Sequence, residues 1–206
     1  MTTEPSPYHR RVAEQKRSAI VEAATELFLD SGYAGTSLAK VAENAGVSRA
    51  TLFKQFPTKA ALFDVIVAEA WRGAEDEQEP PTGDLIAGLT AIGRRYVDLL
   101  TRPGMAGLFR IVIAELPRFP ELGEAHFERG KMPYFESVRR YLGAENRVGT
   151  AEIDDPELAA TQFLGMISNY VFWPRMLLID WSPDESSMSR VVDEAVLMMR
   201  ARYGTA

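Results

Sequence analysis

Apolar residues recur along this chain at helical spacing, and no stretch of alternating apolar and polar positions persists between turn-forming residues. The pattern predicts an all-α protein. A first helix runs from about Arg10 to Ser31 with Ile20, Ala24, Leu27 and Phe28 on one face, and Gly32 stops it. After a link over Tyr33 to Thr36, a short helix spans roughly Ser37 to Ala45. Thr36 or Ser37 caps it, and Leu38, Val41, Ala42 and Ala45 follow at i, i+3, i+4 and i+7. Gly46 ends it where a left-handed backbone costs least. Val47 is a lone apolar residue in the turn, Ser48 a second cap, and a third helix runs from Arg49 to about Gln55. Phe56-Pro57-Thr58 closes the unit, because the residue before proline is pushed out of helix.

A fourth helix, about Lys59 to Arg72, follows a Thr58 cap, and Gly73 to Gly83, acidic and proline-bearing, reads as a solvated loop. Further helices are expected at about Asp84 to Thr101, Met105 to Leu116, Pro120 to Leu142, Asp155 to Ile179 and Asp184 to Tyr203. They are separated by Arg102-Pro103-Gly104, by Pro117 and by Gly143 to Asp154, and Pro174 should kink the run that contains it. This divides the chain into a head over 1–58 and a larger helical body over 59–206.

The short sequence cap, amphipathic helix, glycine, apolar turn residue, cap, second helix is what a helix-turn-helix requires. Burying Leu38, Val41, Ala42, Val47 and Leu52 together fixes the crossing of its two helices. On the third helix Leu52 and Phe56 share one face. Arg49, Ala50, Phe53 and Lys54 fall largely on the other, where base edges and phosphates of a duplex would lie, and Ser48 and Thr51 add hydroxyls. Lys59 opens the next helix, whose free amides and positive dipole end suit a phosphate. Isolated basic residues usually sit on plain solvated faces; in this frame Arg49 and Lys54 read as recognition residues. Phe53 divides evenly between core and DNA surface. Arg10, Arg11, Lys16 and Arg17 form either a solvated terminus or a basic arm reaching the duplex.

Those residues carry a resemblance. Leu27-Phe28, Gly32-Tyr33, Thr36-Ser37, Val41-Ala42, Ala45-Gly46-Val47-Ser48, Thr51-Leu52-Phe53, Phe56-Pro57 and Lys59 resemble the N-terminal domain of the TetR family of bacterial regulators over about Lys16 to Phe63. The resemblance implies a homodimer with a three-helix DNA-binding head, a helical ligand-binding body, and repression relieved when a small molecule moves the heads apart. It implies that Thr36, Ser37 and the region of Lys59 hold phosphates, while Ser48, Arg49, Ala50, Thr51 and Lys54 face the major groove. Where many members carry a tyrosine that reaches a phosphate, this chain has Phe53, which offers only apolar packing. Leu108 to Glu115 with Arg118-Phe119-Pro120-Glu121-Leu122 is similar to the AefR-like C-terminal domain of part of the family, which names an architecture and no effector.

Composition sets the bounds. Over 206 residues the net charge is −6, which at first sight opposes binding to a polyanion. In residues 1–60, however, eight basic side chains face six acidic ones, a surplus of +2 that leaves −8 to the remainder: a cationic head on an acidic body. The chain has no cysteine, and its histidines, His9 and His126, stand too far apart to suggest a ligand pair, so neither a thiolate metal site nor a cofactor is expected. His126 reads as a partly exposed helix residue. An opening without an apolar h-region, and an apolar stretch at Ala159 to Ile179 broken by polar residues, point to a cytoplasmic protein with no membrane partner.

Tyr96, Phe109, Phe127, Phe163, Met166, Tyr170 and Trp173 are the candidates for lining a largely apolar effector pocket, within a wider aromatic set that includes Tyr134 and Phe135. The last two helices carry more apolar surface than one core needs; Val192, Ala195, Val196 and Met199 form one stripe, and Met188, Val191 and Met198 widen it. A second copy packed there would cover it and set two recognition helices about 34 to 36 Å apart on a palindromic operator. The function expected is thus a DNA-binding transcriptional repressor released by a small molecule. The alternative is a ligand-independent DNA-binding or partner-binding factor whose body only dimerises. An enzyme finds no support: carboxylates such as Glu115, Glu121 and Glu124 sit where solvated helix faces put them.

Overall fold

The computed structural model describes residues 7–72 and 79–205. The polar opening (1–6) and the first part of the expected acidic loop (73–78) lie outside them. Eleven α-helices are found among the described residues: α1 (Pro7–Gly35), α2 (Leu38–Asn44), α3 (Arg49–Gln55), α4 (Lys59–Trp71), α5 (Leu85–Thr101), α6 (Met105–Glu115), α7 (Glu121–Ala125), α8 (Met132–Val148), α9 (Pro156–Val171), α10 (Trp173–Leu177) and α11 (Glu185–Tyr203). A π-helical segment, His126–Lys131, joins α7 to α8. No strand occurs among the described residues, apart from one isolated bridge between Ala151 and Gly204. None of the described helices is long and apolar enough to cross a membrane.

Packing groups the chain into two units rather than along a single cut after Thr58. One holds the described residues through Ala70 together with Ile111–His126, and the other holds Trp71–Arg110 and the chain from Phe127 onward. In the first unit Ile20, Ala24, Leu27 and Phe28 of α1 are buried with Val41, Ala42, Leu52, Phe56, Leu62 and Phe63, as the helical spacing requires. The basic run near the start is helical: α1 begins at Pro7, so Arg10, Arg11 and Lys16 stand exposed along it, and the Arg17 guanidinium lies 4.6 Å from the Phe56 ring centre. Gly32, at φ 74°, interrupts the helical geometry of α1 where a stop was expected.

In the second unit α11 packs against α5 and α9, and α8 against α9. Leu89 and Ile92 of α5, Phe163 and Ile167 of α9, and Val192, Val196 and Met199 of α11 form the centre of that core. Three local expectations are corrected. Gly143 does not end its helix; α8 continues to Val148, and Gly149 at φ 83° supplies the left-handed cap. The run expected over Asp155 to Ile179 breaks at Phe172, since Pro174 has no N–H to give and takes an opening position of α10 instead. His126, expected to be partly exposed, is buried at the start of the π-helical segment.

One buried charge holds this unit's chain connections together. Glu145 on α8 is 0% exposed. Its carboxylate accepts the Gly83 N–H at 3.1 Å and the Thr150 hydroxyl, tying the approaches to α5 and α9 to one side chain. Glu145→Ala takes that acceptor from two part-buried donors, and we expect a loss of about 1 to 2 kcal/mol in stability. Urea unfolding at fixed protein concentration measures it, and a midpoint equal to wild type would show the carboxylate to be dispensable.

Candidate nucleic-acid interface

The interface begins with two serine caps and a glycine. The Ser37 side chain accepts the Lys40 N–H at 3.3 Å and starts α2. The Ser48 side chain accepts the Thr51 N–H at 3.1 Å and starts α3, with its own oxygen 2.8 Å from the Thr51 hydroxyl. Between them the chain turns at Gly46, φ 63°, a backbone region that L side chains rarely adopt. The Val47 N–H donates to the Ala42 carbonyl at 3.0 Å and closes the corner. Leu52 is wholly buried, and Phe56 nearly so, which clamps one side of α3 to the head.

That clamp determines what the rest of α3 presents. Ser48, Arg49, Ala50 and Lys54 are exposed, Phe53 is 48% exposed, and Thr51 is half-buried. Phe53 therefore belongs to the outer surface and not to the core. Arg49 and Lys54 form no ion pair among the described residues, so the face offers two uncommitted cations, two hydroxyls and an aromatic ring. Ser37 is exposed at the start of α2. Such a surface suits a duplex, whose phosphates demand cations and hydroxyls and whose thymine methyls accept apolar contact.

Two expected phosphate ligands are placed otherwise. Thr36 is buried, and its hydroxyl donates to the Leu27 and Gly32 carbonyls at 3.1 and 2.9 Å. Lys59 is half-buried. Its ammonium donates to the Tyr33 carbonyl at 2.6 Å and the Thr36 carbonyl at 3.0 Å, and lies 4.2 Å from the Tyr33 ring centre. It satisfies carbonyls left open where α1 ends and so braces that end of the helix. Burial lowers its pKa, an effect the Glu115 carboxylate opposes. Burial, with Glu121, Asp64 and Glu115 nearby, pushes the Tyr33 phenol up to about 12.

Glu115 is a residue the sequence reading missed. Taken for a solvated carboxylate, it is half-buried and accepts the Ala34 N–H at 2.9 Å. With the Phe119 ring 5.0 Å from that of Tyr33, it secures the end of α1 ahead of the helix-turn-helix. No local signal marks a partner 81 residues away.

The expected effector-lining residues do not converge on one cavity. A cavity of about 170 Å³ in the second unit is lined by Trp71, Tyr96, Lys131, Tyr134, Phe135, Thr161, Leu164, Gly165 and Ser168. Of the seven candidates only Tyr96 belongs to it. Phe163 is sealed in the core; Phe109 packs on Phe172 with ring centres 4.6 Å apart; Phe127 and Trp173 are exposed. Met166 and Tyr170 line a separate, open groove of about 670 Å³ along the outer side of α9 and α11, with Val191 and Met198. The physical reason lies in α9 itself: positions 163, 164, 167 and 171 turn inward, whereas 166, 169 and 170 turn away.

Residues 20–66 match the family model of bacterial regulatory proteins of the tetR family, and residues 87–205, more than half of the chain, match that of the AefR-like transcriptional repressor C-terminal domain. An uncharacterized HTH-type transcriptional regulator of Mycobacterium tuberculosis, Rv1556, is 24% identical over 95% of this chain and 90% of its own length. A crystal structure of a putative TetR-family regulator from Mesorhizobium loti superposes with a TM-score of 0.82 at 28% identity, covering 94% of this chain and 98% of that one. The flavonoid-responsive regulator FrrA superposes with a TM-score of 0.76 at 26% identity, covering 93% and 98%.

Proposed function

This chain belongs to the TetR family of bacterial transcriptional regulators, and from that premise we propose that it is a homodimeric, cytoplasmic repressor whose paired α3 helices read a palindromic operator until a small effector releases it. The observation that carries the DNA-reading part is the two-sided character of α3. Leu52 and Phe56 are locked inward, so Arg49, Ala50, Phe53 and Lys54 must face out, and the cations there have no carboxylate partner among the described residues. Arg49 is suited to a guanine edge or a phosphate, Lys54 to phosphate, Phe53 to a thymine methyl, and the Ser37, Ser48 and Thr51 hydroxyls to the backbone.

Dimerisation is supported by the outer faces of α9 and α11, where Leu158, Leu197 and Met198 are each at least half exposed. Two-fold packing of these helices on a second copy would space the two heads for successive major grooves. Release by an effector is supported by the cavity beside Trp71 and Tyr96, a feature that a body serving only to dimerise does not need. FrrA, similar over nearly its whole length, is flavonoid-responsive by name, which accords with a sensing role for this architecture. The mechanism is a population shift: an effector that binds better to the arrangement with splayed heads lowers operator affinity by that difference.

The test starts from operator DNA selected from a random library. At fixed salt, Arg49→Ala is expected to weaken binding about 10- to 100-fold and Lys54→Ala about 5- to 10-fold, with the salt slope for Lys54→Ala falling by about 1. Both residues are exposed, so thermal unfolding should not move. Wild-type titration curves for both variants would assign recognition to another surface.

A further inference from the structure

The 170 Å³ cavity in the second unit has a size and a lining that select among ligands. A drug-sized molecule needs roughly 300 Å³ or more, whereas an apolar cavity of about 150 Å³ is enough to take one benzene ring. The walls are aromatic. Trp71 and Phe135 stand with Tyr96 and Tyr134, whose rings stack at 5.3 Å and 12°. Gly130 lets the Trp71 indole come close, since a Cβ there would meet its Nε1 at 2.6 Å.

The polar groups are mostly engaged. Tyr134 donates its hydroxyl to the Ile92 carbonyl at 3.0 Å. Tyr96 and Ser168 interact through their side chains, and burial holds the Tyr96 phenol neutral, its pKa raised to about 12. Lys131 is the exception. It lines the cavity, its ammonium lies 5.1 Å from the Phe127 ring centre, and it forms no ion pair among the described residues. Among the described residues the lining contains no carboxylate to balance it.

We propose that this cavity binds a single-ring aromatic anion, with the ring held among Trp71, Tyr96, Tyr134 and Phe135 and the anionic group at Lys131. The proposal rests on the reading of the body as a sensor and names the class of molecule sensed. The ring meets faces and edges of other rings, where stacking adds to the burial of apolar area. The carboxylate meets the Lys131 ammonium at the exposed mouth, where charge attraction adds to the burial of the ring. A neutral analogue keeps the first contribution and loses the second.

Calorimetric titration of the full-length protein with benzoate and with benzyl alcohol tests this. Benzoate should bind one per chain and at least about tenfold more tightly than benzyl alcohol, a difference of about 1.4 kcal/mol. Lys131→Gln, at an exposed position and so without cost to the fold, should lose about tenfold for benzoate and leave benzyl alcohol unchanged. No benzoate binding, equal binding of both compounds, or wild-type benzoate affinity in Lys131→Gln would each overturn the proposal. Operator gel shifts with and without benzoate separate it from the sensing role: binding without release of DNA overturns the sensing reading and leaves the ligand class standing.

Discussion

Ala50→Glu should abolish operator binding, with a loss of at least about 100-fold, while the protein melts where wild type does. Ala50 is exposed on the second residue of α3, one turn before Lys54 and on the side opposite Leu52. A glutamate there sets a carboxylate against the duplex and fills space that the small methyl leaves for base edges. Like charges brought together across an interface cost several kcal/mol, and about 3 kcal/mol already corresponds to a factor of 100. A dimer carries the change twice. Stability has no reason to fall, since glutamate is a good helix former and an acidic residue in the first turn is favoured by the helix dipole. Gel shift beside a thermal melt reads both quantities. A variant that binds the operator as wild type does would mean that α3 does not enter the groove, and the DNA-binding assignment would fail with it.

The helix-turn-helix was legible in the sequence because everything that makes it is local. Ser37 and Ser48 cap helices whose first free amides lie three residues on, Gly46 turns the chain between them, and Leu52 and Phe56 are one helical turn apart. Each relation spans a handful of residues, the distance over which periodicity and capping act. The head residues whose contacts the sequence did not show are those whose partners are remote. Lys59 reaches carbonyls 26 and 23 residues back, and Glu115 an amide 81 residues away. A lysine at the start of a helix looks the same in sequence whether it waits for a phosphate or braces its own backbone.

The body was legible as a set of helices and illegible as a site. Amphipathic spacing located α5, α6, α9 and α11, yet glycine and proline gave only part of the punctuation. Gly143 stays inside α8 because helical φ and ψ are open to glycine at modest cost, while Gly149 ends it through a φ that other residues avoid. Choosing effector-lining residues by type gathered aromatic and sulfur side chains without knowing which side of a helix each occupies. Of the aromatic residues chosen by type, Tyr96, Tyr134 and Phe135 line the cavity, whereas Trp71, Lys131 and Ser168 reach it through packing alone. Trp71 shows why: it is the last residue of α4, and nothing in its neighbourhood in sequence places it beside Gly130 of the π-helical segment.

A larger loss still is expected from Leu197→Glu combined with Met198→Glu on α11. Both side chains are more than half exposed in the single chain, so their replacement removes little from the core, and the isolated protein should keep its helicity. In a two-fold contact each would face apolar surface of the second copy, and four new carboxylates would be taken out of water, a cost of several kcal/mol that Arg200 and Arg202 on the same helix offset only in part. The variant should sediment with the 22.9 kDa mass of one chain, and wild type with twice that. Operator affinity should fall by about 10² to 10⁴, because the second head then arrives from bulk solution instead of at the high local concentration its partner enforces. The two measurements constrain each other. A variant that remains dimeric would move the two-fold contact to other exposed apolar surface, of which Leu177 and Ile179, 87% and 89% exposed, are the strongest candidates. A folded monomer that still binds the operator with wild-type affinity would remove palindromic recognition from the mechanism.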